Sequence, residues 1–131
     1  VRRTHGPDAE RLDGDPLGAQ RGGATVLLLA AGLVFVLVGT FGAAVAAAQI
    51  AAQRAAVAAD LGALAGAARP LDGEAVACAS AADIVGRNAA RTASCRLDGL
   101  DVLVTAEVTF TPLPGLTRVA TSTARAGPVR G

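Results

Sequence analysis

Two cysteines, Cys78 and Cys95, are the residues of this 131-residue chain whose type and spacing best suit chemistry. The chemistry they suggest is a disulfide. Such a bond would close a loop of roughly 18 residues and contribute ~3 kcal/mol in the chain-entropy account. Two free, buried thiols are the other reading. A metal centre finds little support, because the one histidine, His5, stands in a polar stretch far from both thiols. Ser80, Ser94 and Ser122 belong to no motif that supplies a base. Asp98 and Asp101 bracket Gly99, where Asp-Gly is turn chemistry before it is a carboxylate pair. Arg21-Gly22-Gly23 is a glycine cluster without the lysine of a phosphate loop. The sequence therefore predicts no enzyme, no cofactor and no small-molecule substrate.

The elements that must position the cysteines are dominated by one apolar run. Between Arg21 and Arg54 there is no charged residue. Ala24 to Ala48 alone would rise about 37 Å as a helix, enough to cross a ~30 Å hydrocarbon core. A signal-peptide core is shorter, about 7–15 residues, although Ala43 to Ala48 offers an Ala-x-Ala cleavage site. A buried soluble helix is disfavoured, since the remainder of the chain is too thin in apolar residues to surround it. The run is read as a membrane span over residues 23–48. Arg2, Arg3, Arg11 and Arg21 precede it, and Arg54 and Arg69 follow within about 20 residues, which favours a cytoplasmic N-terminus. Both cysteines follow the span, consistent with an oxidising compartment outside the cell membrane. Net charge is +1, with twelve Arg and no Lys, which argues against nucleic acid as a partner.

Residues 1–22 read as a polar cytoplasmic tail and residues 49–69 as an outward helical extension. In the extension, Ile50, Val57, Leu61 and Leu64 form a narrow apolar stripe at helical spacing, ended by Pro70. Gly32, Gly39 and Gly42 with many alanines supply small residues that allow close helix packing in lipid. The alternative is that alanine is here simply a good helix former in a GC-rich coding sequence.

Residues 70–131 read as a small extracytoplasmic head. Glu74 to Arg91 suggests a short helix with Cys78, Ala82, Val85 and Ala89 on one face. Leu100, Val102, Val104, Ala106, Val108 and Phe110 alternate with polar neighbours as in a half-buried strand. Asp98-Gly99 is a hairpin signal that pairs Ala93–Leu97 with it. The TPLPG stretch, Thr111 to Gly115, breaks the pattern, and Thr117 to Arg125 returns as a third strand. The fold expected is α+β: a long N-terminal transmembrane helix continuing outward, then a short helix on a small antiparallel sheet. Such a core is marginal by itself.

The order of these parts, with RGGATV (Arg21 to Val26), QRAAVAADLGALAGAA (Gln53 to Ala68) and CRLDGLDVLVTAEV followed by LPGL, resembles a known family. It is similar to the TadE/TadG-like minor pseudopilins of tight-adherence (Flp) pilus systems, and most to the short actinobacterial TadE-like proteins encoded beside secretion genes. The resemblance implies a pilin-like fold, a membrane-anchored structural role, and pilin-like or secretion-apparatus subunits as partners. It also implies a candidate prepilin-type processing site at Gly22 or Gly23. One departure stands out. Mature pilins of this kind carry Glu at their fifth position, whereas cleavage after Gly22 or Gly23 would place Leu27 or Leu28 there. That suits a minor or initiating component better than a repeated shaft subunit. A bitopic protein whose head binds an envelope or secretion partner without polymerising is the alternative.

Overall fold

The computed structural model describes residues 16–129; His5, Arg2, Arg3 and Arg11 lie outside them. Helix α1 spans Pro16–Ala67, 52 residues. Proline is tolerated at a first helical position, where its missing N–H has no partner to lose. The next proline is Pro70, which opens a single 3-10 turn, Pro70–Asp72. Helix α2 follows at Glu74–Arg87, then strands β1 (Arg91–Asp98), β2 (Asp101–Leu113) and β3 (Leu116–Ala126). The strands form one antiparallel sheet in the order β1-β2-β3. The α+β class is thus established, as a long apolar helix, a second helix and a three-stranded sheet.

The chain divides into two units, the first ending at Gly39 and the second beginning at Thr40. In the first, every described side chain from residue 21 is exposed. The Thr25 hydroxyl is returned to the Arg21 carbonyl at 3.0 Å, which removes one polar group from the helix surface. Leu27, Leu28, Phe35 and Val38 are each more than half exposed.

The second unit holds the core. Val102, Val104, Ala106 and Val108 of β2 point to one face of the sheet and are all buried, as their alternation predicts. What covers them is a layer of small residues: Ala58, Ala59 and Ala63 from α1, and Ala77, Ala81 and Val85 from α2. A second cluster joins Ala51 and Ala55 of α1 to Val108, with Phe110 and Ala120 packed against it. The C-terminal half of α1 is therefore a wall of the head.

Several boundaries differ from the sequence expectation for physical reasons. Helix α2 stops at Arg87 rather than Arg91. Asn88 donates its side-chain amide to the Ile84 carbonyl at 2.8 Å. Ala89 then takes a positive φ of 55°, and the Ala90 and Ala89 N–H groups bond back to Val85 and Gly86. This is a Schellman stop with alanine at the left-handed position. The inward face of α2 is Ala77, Ala81 and Val85; Ala82 is exposed and Ala89 lies beyond the helix. Nor does TPLPG break the sheet. β2 continues to Leu113 across a register shift between Phe110 and Leu113, the kind of irregularity that lets a strand hold Pro112.

Candidate functional surfaces

The cysteines expected to pair do so. Cys78 in the first half of α2 is bonded to Cys95 in β1, with their Cα atoms 5.7 Å apart. A second tie runs beside it: the Leu97 N–H of β1 donates to Glu74 Oε2 at 2.9 Å. β1 is an edge strand, so its outward N–H groups need partners from elsewhere. Glu74 supplies one, and the cystine holds α2 in place to do so.

Asp98 and Asp101 meet a cation at the end of the sheet. Asp98 and Asp101 are paired across the β1–β2 turn, in which Gly99 has φ 66°. Asp101 is buried, and its Oδ2 accepts from Arg125 Nε at 2.9 Å and from the terminal guanidinium nitrogen at 2.5 Å. Asp98 lies 3.4 Å from the same nitrogen. Hydrogen bonding to Asp101, and then its charge, hold the Arg125 pKa above the ordinary arginine value. Gly127 packs so closely on Asp101 that a Cβ there would overlap the carboxylate. The cluster ties the last strand to the first turn. Across the outward face of the sheet, Arg91 pairs with Glu107 and the Thr105 and Thr123 hydroxyls meet at 2.9 Å.

Among the described residues, no three or more His, Cys, Asp or Glu group to hold a metal ion. Ser94 is exposed on β1, and Ser80 and Ser122 are half-buried.

Gly22, Gly23, Gly32, Gly39 and Gly42 are all helical, and a Cβ on any of them would meet nothing within 4 Å. Two other glycines, not singled out by sequence reasoning, are tightly enclosed. A Cβ on Gly62 would lie 2.6 Å from Val85 Cγ2 and 3.2 Å from the Ala81 carbonyl oxygen. On Gly66 it would lie 2.9 Å from Val102 Cγ1 and 3.0 Å from the Ala77 carbonyl oxygen. Gly62 and Gly66 of α1 thus face Ala81 and Ala77 of α2, small residues four apart on both helices. The GALAG spacing was the available signal.

The apolar stripe in the C-terminal half of α1 has the opposite placement. Ile50, Val57, Leu61 and Leu64 are 50%, 51%, 42% and 61% exposed, while the alanines behind them are buried. Arg21–Ala67 is long and apolar enough to cross a membrane by length and composition. Its most apolar 18-residue window has a mean hydropathy of 2.5, and none of that window is buried within the molecule.

No family model matches the chain, and searches of curated proteins and of solved structures return no match.

Proposed function

We propose that this chain is a membrane-anchored, TadE-like pseudopilin subunit: a structural component of a tight-adherence pilus or a related secretion apparatus. The observation that carries the reading is the division of labour along α1. Its first part presents apolar side chains on all sides, as a helix in lipid does. Its last part is built into a cystine-braced α+β head, and Gln53–Ala68 within it carries part of the resemblance. Arginines ahead of the span favour a cytoplasmic N-terminus, and the cystine suits a head outside the membrane. Gly32, Gly39 and Gly42, open on the span, are the small residues through which neighbouring subunits would approach.

The test is association in membranes. Replacing Gly39 and Gly42 with Leu should abolish co-purification with other pilin-like subunits while leaving the chain in the membrane fraction. Unchanged co-purification would overturn the assembly role. Sequencing the mature N-terminus gives an independent check: a start at Gly23 or Ala24 marks prepilin-type processing, and a start near Ala47 or Ala48 marks a released, secreted head. The position of Leu27 and Leu28, where an assembling pilin has Glu, favours one second reading, a bitopic anchor whose head recruits a partner. In that case an unrelated span in place of residues 23–48 leaves partner binding intact.

A further inference from the structure

The outward half of α1 leaves a contradiction within the head. Its buried side is alanine and glycine, whereas Ile50, Val57, Leu61 and Leu64 face away from the core and remain roughly half exposed. Ile50, Val57 and Leu64 are seven residues apart, the spacing of a helix–helix seam. Two charges border the stripe. At about 100° per residue, Arg54 and Asp60 fall roughly 60° to either side of its centre. Both are exposed, and among the described residues neither has an ion-pair or hydrogen-bond partner. Elsewhere in the head, Arg87 pairs with Asp83 and Arg91 with Glu107.

We infer that this face of α1, from Ile50 to Leu64, is a dimer interface with a second copy of the same chain in parallel orientation. Around a two-fold axis parallel to the helices, the flank of one copy that carries Arg54 faces the flank of the other that carries Asp60. The two positions differ by about 9 Å along the axis, a gap that a long Arg side chain tilted along the groove narrows to ion-pair distance. Two equivalent Arg54–Asp60 pairs then close over the apolar seam. Antiparallel pairing would instead set like charges together. The parallel orientation rests on the proposed membrane anchoring, because copies inserted the same way share one direction. A closed two-fold contact is distinct from polymer formation: it uses the same surface on both copies and ends at two.

The experiment uses the full chain in its own membranes. A Val57→Cys variant, with the native cystine intact, is treated with a short bismaleimide, and Ala52→Cys, exposed but off the stripe, serves as the comparison. The interface predicts a crosslinked product of twice the chain mass for Val57→Cys and little for Ala52→Cys. Arg54→Asp and Asp60→Arg should each lower the yield by at least about threefold, and the double reversal should restore it. Equal crosslinking at both positions, indifference to charge reversal, or a product containing a different protein overturns the inference. Alkaline extraction of the same membranes separates the two readings. No dimer from a chain that stays membrane-bound sinks the interface alone, whereas a dimer from a chain released as soluble keeps the interface and sinks the anchoring.

Discussion

Ala89 sits at the one described non-glycine position with a positive φ. Left-handed backbone is disfavoured for any residue with a Cβ, and glycine adopts it freely. Ala89→Gly should therefore stabilise the head by about 0.5–1 kcal/mol, read as a higher urea midpoint in detergent. Two further glycines make a paired test of opposite sign. Gly86, helical and open on all sides, should tolerate alanine and gain about 0.5 kcal/mol from the better helix former. At Gly66 the added methyl would press on the backbone of Ala77 and on buried Val102, so Gly66→Ala should destabilise by about 1–3 kcal/mol. If both changes shift the midpoint equally, the close approach of α1 and α2 is wrong.

Among the elements, α2 has few and mostly small apolar side chains to hold it. Only Ala77, Ala81 and Val85 are buried, and two of these are small. The Cys78–Cys95 bond and the Glu74–Leu97 hydrogen bond make up the difference at the β1 edge. Replacing both cysteines with serine should cost about 3 kcal/mol in denaturation experiments and leave the oxidised chain's faster migration on non-reducing gels behind. Element boundaries show what local reasoning can and cannot see. The β2 alternation and the Asp-Gly turn were legible because each follows from neighbouring residues. Pro112 inside β2 was not, since its place depends on the register shift between Phe110 and Leu113 in the pairing with β3, which no residue type within β2 announces.

For the whole molecule, the head cannot be cut at the proline that ends α1. A chain of residues 70–131 lacks Ala58, Ala59 and Ala63, which share with α2 the covering of Val102, Val104 and Ala106, and should show no cooperative thermal transition by circular dichroism. Residues 49–131 restore Ala51 to Ala63 and should melt cooperatively. Equal behaviour of the two would remove α1 from the core. Composition and periodicity by themselves determined the long apolar helix, the helix–strand order and the hairpin, because helix length, period-two alternation and turn residues are properties of short stretches. They left the cysteines with two readings, since a cystine needs two distant stretches. Which side of Gln49–Ala68 turns inward was decided only by tertiary structure. Hydrophobicity singled out Ile50, Val57, Leu61 and Leu64, yet α2 and the sheet approach α1 so closely that only alanine and glycine fit between them, and the larger side chains are left outside.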